Sequence, residues 1–140
     1  MKEEIEYILK KMNDAFASLK GGAEIASDEL TRDGVIQRFE FTFELLWKTL
    51  KVFLKEKKGI ICKAPKDCLK EAFRLDWIDD EKVFLEMLED RNEASHIYNK
   101  FMAEEIYSRI KGKYVAAIEG VMRKLGLRVS EWVKNDVLSI

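Results

Sequence analysis

The residues best suited to chemistry lie in one octapeptide, Arg91-Asn92-Glu93-Ala94-Ser95-His96-Ile97-Tyr98. His96 is the only histidine of the chain, and imidazole is the side chain whose ordinary pKa lies near neutral pH. RNA cleavage requires a base for the ribose 2′-hydroxyl proton and a cation to stabilise the charged phosphorane. His96 and Arg91 supply both without a metal, and Asn92 is suited to orienting the imidazole or a phosphate oxygen.

Helical geometry opposes a site built from this segment alone. Five residues turn an α-helix by about 500°, which leaves Arg91 and His96 roughly 140° apart. They converge if the helix ends or distorts near Ser95, or if a partner chain completes the cleft. In the simpler interpretation His96 is an ordinary surface histidine. Arg91 then forms an internal salt bridge to Glu40 or Glu44.

Other chemically interesting groups have structural interpretations. The carboxylates Glu40 and Glu44 lie one helical turn apart beside Arg38 and Lys48, so ion pairs are favoured over paired acid and base catalysis. The neighbouring aromatic residues are expected in the core or an interface rather than in a base-stacking platform. They are Phe39, Phe41, Phe43 and Trp47.

Several function classes lack their motifs. The chain has no glycine-rich phosphate loop, no nucleophile elbow and no Cys-x-x-Cys motif, so we expect neither a metal nor a cofactor. Cys62 and Cys68, six residues apart, fit neither a zinc site nor a disulfide framework, and we expect reduced thiols.

Composition indicates a single folded domain. The chain has 140 residues, of which 47% are hydrophobic and 36% charged, with a formal net charge of -1. This balance argues against a dedicated duplex DNA binder but leaves room for a local basic patch that meets RNA. The acidic start Met1-Lys2-Glu3-Glu4 and the lack of a long uncharged stretch predict a cytoplasmic protein with no membrane segment.

Apolar residues at steps of three and four predict an all-α chain. The spacing predicts helices over residues 3–19, from about 28 to 56, over 65–73, from about 81 and from 100 to 125. Residues that favour helix ends set the expected boundaries. They are Gly21-Gly22, Ser27 or Asp28, Gly59, Pro65, Asp79 and Asp80, Asn99, and Gly126.

The second of these helices has a wider apolar face than an amphipathic helix needs. Its stripe through Val35, Phe39 and Leu46 is widened by four further apolar residues, Ile36, Phe43, Trp47 and Val52. The helix is therefore central to the bundle or shared with a second copy of the chain, and we expect a homodimer. The tail from residue 127 is apolar enough to dock on its own chain or on a neighbour.

Long stretches of the sequence closely resemble the nucleotidyltransferase substrate-binding protein family of the HEPN superfamily. The resemblance covers about residues 3–125. The residues that carry it are Arg32-Asp33-Gly34-Val35-Ile36-Gln37-Arg38-Phe39-Glu40-Phe41-Thr42-Phe43-Glu44-Leu45-Leu46-Trp47-Lys48, Ala72-Phe73-Arg74, Met87-Leu88-Glu89-Asp90-Arg91-Asn92 and Ser95-His96-Ile97-Tyr98.

The resemblance implies a HEPN-like four-helix up-and-down bundle, here with a short connector helix, that dimerises. The domain would span residues 1–126, with residues 127–140 as a C-terminal tail. Such proteins are encoded beside a minimal nucleotidyltransferase of the polymerase-beta type and act with it as one system.

The resemblance also implies roles for the octapeptide. Related HEPN proteins are metal-independent ribonuclease toxins with an Arg-x4-6-His motif, which Arg91 and His96 fit, and Asn92 fits its polar second position. In toxin relatives a tyrosine two residues after the histidine receives AMP from the partner nucleotidyltransferase, which silences the toxin. Tyr98 stands in that place.

Three functions remain open from the sequence. The first is a partner subunit that binds a nucleotidyltransferase and presents Tyr98 or another substrate to it. The second is a ribonuclease toxin that uses His96 and Arg91, and the third is a purely structural bundle. Acidic residues around the motif repel phosphate and favour the first. They are Glu86, Glu89, Asp90 and Glu93.

Overall fold

The chain folds into antiparallel helices in a computed structural model. The structure describes the backbone of residues 2–96 and 99–138, and the side chains of residues 3–96 and 99–126. In chain order the helices are α1 (Lys2–Ile25), α2 (Glu29–Lys58), α3 (Pro65–Arg74), α4 (Glu81–Ala94), α5 (Lys100–Arg109) and α6 (Val115–Leu138). A single π-helical turn, Ile110–Tyr114, joins α5 to α6.

The architecture is the predicted bundle with its connector helix. Helices α1, α2, α4 and the α5–α6 rod form the four long members, and α3 is the short connector between α2 and α4. The structure has no strand among the residues that it describes. In that same part of the chain, no helix is long and apolar enough to cross a lipid bilayer.

Helix α2 lies at the centre of the bundle. It contacts α1, α3, α4 and α5, and its inward side chains are almost fully buried. Phe39 stacks on Tyr114 with 5.4 Å between ring centroids and packs on Phe43 at 6.1 Å. The single chain therefore covers most of the wide apolar face of α2: Ile36 and Phe43 are buried, whereas Trp47 and Val52 are half-buried.

Most predicted helix boundaries are confirmed by local hydrogen bonds. Asp28 accepts the backbone N–H of Thr31 at the start of α2, and the hydrogen bonds from Thr31 lower the pKa of the Asp28 carboxyl. Gly59 ends α2 with φ +67°, the left-handed conformation that glycine adopts without strain. Asp80 and Asn99 cap α4 and α5 in the same way as Asp28.

Two glycine boundaries were wrong. Helix α1 continues through Gly21 and Gly22 to Ile25, and α6 continues past Gly126 to Leu138. Glycine costs a helix only about 1 kcal/mol relative to alanine, so neighbouring residues that favour the helix override it. At Gly22 the space is also limited: an added Cβ would lie 2.4 Å from a guanidinium nitrogen of Arg38, so that side chain would have to move.

The expectation of two reduced thiols was also wrong. Cys62 and Cys68 form a disulfide, with their Cα atoms 5.3 Å apart and both side chains buried. The reason is local: α3 begins at Pro65, which folds the chain back and brings its first turn to the preceding loop. Spacing along the sequence did not reveal this approach.

The two glycines of α1 give a matched test of these contacts. Gly21 has open space around its Cα, so Gly21→Ala should stabilise the protein by about 0.5–1 kcal/mol through helix propensity. Gly22→Ala should show no such gain, because Arg38 would have to leave the carbonyl of Ser18. Urea unfolding midpoints of the two variants measure the difference. Equal stabilisation by both would contradict the role given to Arg38.

Candidate functional site

A shallow groove runs between α2 and the last turns of α4. Its wider part is lined by Gln37, Glu40, Phe41, Glu44, Arg91 and Ser95. A second depression continues it toward the start of α2 and shares Gln37 and Glu40. It adds Asp33, Ile36 and Ala94 to the lining. Residues of the octapeptide therefore face α2 across this groove.

Arg91 is held in the groove by an ion pair. Its Nη2 donates to Oε2 of Glu44 at 2.5 Å, and its Nη1 lies 3.4 Å from Oδ1 of Asn92. The side chains of Arg91 and Glu44 are 36% and 31% exposed, so the pair is partly shielded from water. Lys48, one turn along α2, approaches the other oxygen of Glu44 at 3.7 Å. The salt bridge to Glu44, one of the two interpretations of Arg91, is present in the structure.

The groove carries more negative than positive charge. Its lining includes the carboxylates of Asp33, Glu40 and Glu44 but only one guanidinium, that of Arg91. Partial burial raises the pKa of Glu40, because its charged form loses water, and the charge of Arg91 opposes that shift. A phosphate entering the groove would meet acidic groups on the α2 side.

The helix that carries Arg91 ends two residues before His96. Helix α4 stops at Ala94, Ser95 is its C-cap, and the backbone N–H of His96 donates to the carbonyl of Glu93 at 2.8 Å. His96 and Asn92 are both exposed. The α-helical hydrogen bonds thus end between Arg91 and His96, but Ser95 keeps right-handed helical dihedrals, so this helix end does not by itself bring the two side chains together. The proposed acceptor Tyr98 lies outside the described residues.

A buried polar network lies directly behind Arg91. Asp90 is 7% exposed and accepts two hydrogen bonds from Arg109, at 2.7 and 2.9 Å. Tyr114 donates its hydroxyl proton to the same carboxylate at 2.5 Å. Burial and this hydrogen bond raise the pKa of Tyr114, so the phenol stays protonated as the donor.

The π turn brings the two donors to one carboxylate. Arg109 and Tyr114 are five residues apart, which on an α-helix would separate them by about 140°. A π turn closes its hydrogen bonds between residues five apart and has more residues per turn than an α-helix, so these two positions lie closer to one face than they would on an α-helix. The backbone N–H of Val115, the C-cap, donates to the carbonyl of Ile110 in this pattern.

Sequence reasoning missed the pairing of Asp90 with Arg109, although both residues left a signal. Asp90 lies three residues after the buried Met87, and Arg109 three after the buried Ile106. A charged residue on the apolar stripe of a helix needs a partner inside the protein. Two opposite charges on the apolar stripes of α4 and α5 predict a buried ion pair. Nothing comparable in the sequence predicts the π turn.

The structural interpretations of the other groups largely hold. Glu44 pairs with Lys48 and Arg91, whereas Arg38 crosses to the carbonyl of Ser18 on α1. Phe39 and Phe43 are buried in the core. Phe41, with 43% of its surface exposed, remains at the edge of the groove.

Comparison with known proteins agrees with this architecture. A family model described as nucleotidyltransferase substrate binding protein like matches residues 7–126. A curated relative from Haemophilus influenzae, named probable ribonuclease HepT, is 35% identical over 81 residues. That alignment covers 55% of this chain and 56% of the relative, so it spans little more than half of either protein.

Two solved structures share the fold over nearly their whole length. A Thermus thermophilus protein superposes with a TM-score of 0.77 at 34% identity, over 81% of this chain and 98% of its own. A Haemophilus influenzae protein superposes with a TM-score of 0.74 at 26% identity, over 84% and 98%. Its structure is described as the fold of a substrate-binding domain of a nucleotidyltransferase.

Glu40 and Glu44 should respond oppositely to loss of charge. Because burial raises the folded-state pKa of Glu40, its ionisation destabilises the fold, and Glu40→Gln should stabilise the protein at pH 7. That gain should shrink as pH falls from the raised pKa toward the ordinary pKa of glutamate, about 4.3, and should be absent below it, where Glu40 is protonated in both the folded and the unfolded state. Glu44→Gln should instead destabilise by about 1 kcal/mol or less, because it loses Arg91.

Urea unfolding of both variants at pH 7 and pH 3.5 measures these effects. A pH-independent effect of Glu40→Gln would show that burial of its charge is not the cause.

Proposed function

This chain belongs to the nucleotidyltransferase substrate binding protein like family, and from that premise we propose that it is the partner subunit of a two-component nucleotidyltransferase system. The catalytic subunit would be a separate minimal nucleotidyltransferase encoded nearby. This chain would bind it and present a substrate to its active site. The observation that carries the proposal is the acidic groove, in which Arg91 is already neutralised by Glu44.

The charge of the groove favours a protein partner over RNA. An RNA phosphate must displace Glu44 from Arg91 and approach Asp33 and Glu40, which repel it. A protein surface can instead offer Lys or Arg to these carboxylates and an apolar side chain to the exposed ring of Phe41. Such a partner leaves the Arg91–Glu44 ion pair intact.

Tyr98 is the acceptor that we propose for AMP. Its phenol oxygen would attack the α-phosphorus of ATP on the nucleotidyltransferase, forming an O–P bond as the bond to pyrophosphate breaks. The phenol proton would pass to a base of that enzyme. In sequence Tyr98 directly precedes Asn99, the N-cap of α5, and follows the end of α4 by four residues.

A homodimer is part of the same proposal. The single chain already buries most of the wide face of α2, so the support for a second copy comes from the edge of the groove. Phe41 is 43% exposed there, beside Arg91 and Ser95. A second copy packed on this edge would bring two octapeptides to one cleft.

The decisive experiment mixes the purified chain with the nucleotidyltransferase encoded nearby and with ATP labelled in its α-phosphate. We expect a stable complex and one AMP per chain, and Tyr98→Phe should abolish labelling while it leaves binding unchanged. Tyr7→Phe is the matched control, because Tyr7 is an exposed tyrosine on α1. Complex formation with AMP on another residue would remove Tyr98 from the proposal, and absence of a complex would overturn it.

A ribonuclease is the second candidate. Two observations favour it: the H. influenzae relative is named a probable ribonuclease, and α4 ends between Arg91 and His96. His96 would act as the base toward the ribose 2′-hydroxyl, and Arg91 would stabilise the phosphorane after it leaves Glu44.

Incubation of the unmodified protein with cellular RNA, without added metal, tests this second function. If it holds, wild type should cleave RNA, and His96→Ala and Arg91→Ala should each lower the rate by at least about 100-fold. Arg74→Ala is the control, since Arg74 is an exposed, ion-paired arginine on α3. Equal cleavage by all four proteins would indicate a contaminating nuclease.

A further inference from the structure

We infer that the Asp90, Arg109 and Tyr114 network is a positioning device that sets where Arg91 and Asn92 stand in the groove. The inference rests on the proposed function, because it concerns the same groove. Asp90 immediately precedes Arg91, and successive residues of an α-helix point about 100° apart. Fixing Asp90 toward the core therefore fixes Arg91 toward α2, where it meets Glu44.

The network joins both walls of the groove through one side chain. Tyr114 donates its hydroxyl proton to Asp90 on α4, and its ring stacks on Phe39 of α2. Arg109, the last residue of α5, holds the same carboxylate with two further hydrogen bonds. Three hydrogen bonds to one carboxylate restrain the rotation of α4 about its axis more than one contact can. The distance from Arg91 to α2 depends on that rotation.

The π turn and the buried ion pair of Asp90 and Arg109 are each less favourable in free energy than the simpler alternative. A π turn is rare in α-helical rods and is frequently found at functional sites. A buried ion pair is commonly less stabilising than well-packed apolar residues of similar size, because both charges lose water. If stability alone were required, a continuous α-helix with apolar side chains at these positions would serve. The cost is explained if the network specifies the geometry of the neighbouring residues.

A second ion pair between the same two elements provides a control. Lys113, also in the π turn, pairs with Glu86 on α4 at 2.5 Å, and the two side chains are 45% and 37% exposed. It links α4 to the π turn as the network does. Glu86 lies five residues before Arg91, and this ion pair is more exposed than the network. Neither of its two side chains has an aromatic ring that could stack on α2. Glu86→Gln therefore removes an ion pair between these elements and keeps all three hydrogen bonds to Asp90, although it also removes a negative charge that acts on the hydroxyl of Tyr114.

The test measures the coupling between Arg91 and Glu44 without reference to any activity. Folding equilibrium constants of Arg91→Gln, Glu44→Gln and the double variant, obtained at low ionic strength, give the coupling as a double-mutant cycle. For a partly exposed pair we expect a coupling of about threefold. The cycle is then repeated in Tyr114→Phe, which keeps the ring on Phe39, and in Glu86→Gln.

The two backgrounds should differ. We expect the coupling to fall below about 1.5-fold in Tyr114→Phe and to stay near threefold in Glu86→Gln. A network that only stabilises the fold would lower all four folding constants of a cycle equally and leave the coupling unchanged. That result in Tyr114→Phe would overturn the inference.

A second readout separates this inference from the proposed function. Labelling of Tyr98 by the nucleotidyltransferase should be slower in Tyr114→Phe than in Glu86→Gln, under conditions in which both variants are folded. If wild type shows no labelling, the AMP-acceptor role of Tyr98 fails, and the coupling in Tyr114→Phe still decides the positioning role. Asp90→Asn repeats the cycle with the shape of the side chain retained, and an unaltered coupling there would also contradict the inference.

Discussion

Burial of α2 on most of its circumference is the constraint on which the rest of the structure depends. An α-helix with apolar residues around most of its surface must be covered by several neighbours. Here α1, α3, α4 and α5 provide that cover, and Phe39 and Phe43 are fully buried among them. The groove is the place where polar residues of α2, Glu40 and Glu44, interrupt this cover. Its chemistry therefore follows from where the apolar surface of α2 ends.

The polar network of Asp90, Arg109 and Tyr114 holds α4 against α2 in one orientation. Apolar packing permits small rotations and shifts of a helix, whereas a buried carboxylate must keep its hydrogen bonds. Asp90 receives donors from Arg109 and Tyr114, and the π turn lets residues five apart serve as both donors. Because Asp90 and Arg91 are adjacent on α4, the hydrogen bonds that hold Asp90 in the core also fix the position of Arg91 in the groove.

Periodicity made the fold largely predictable from the sequence, whereas the site was predictable only in part. Apolar spacing located each helix, but the glycines of α1 and α6 misled because helix propensity is weak beside neighbours that continue a helix. The disulfide depends on how a loop approaches α3 in space. The ion pair of Arg91 was one of two interpretations that the sequence allowed, and the roles of His96 and Tyr98 stay predictions. Asp90 was interpreted only as one of the acidic residues that repel phosphate, and its pairing with Arg109 was not predicted, because the inner neighbours of the octapeptide were not considered.

The charge of the groove links the two candidate functions physically. Arg91 acts on a phosphate only after it leaves Glu44, so a ribonuclease with this groove must weaken that pair each time it binds RNA. A subunit that binds a nucleotidyltransferase has no such requirement, and the carboxylates can instead meet basic groups of its partner. The Arg91–Glu44 ion pair thus opposes the binding of a phosphate by Arg91, whereas it is compatible with a basic protein partner.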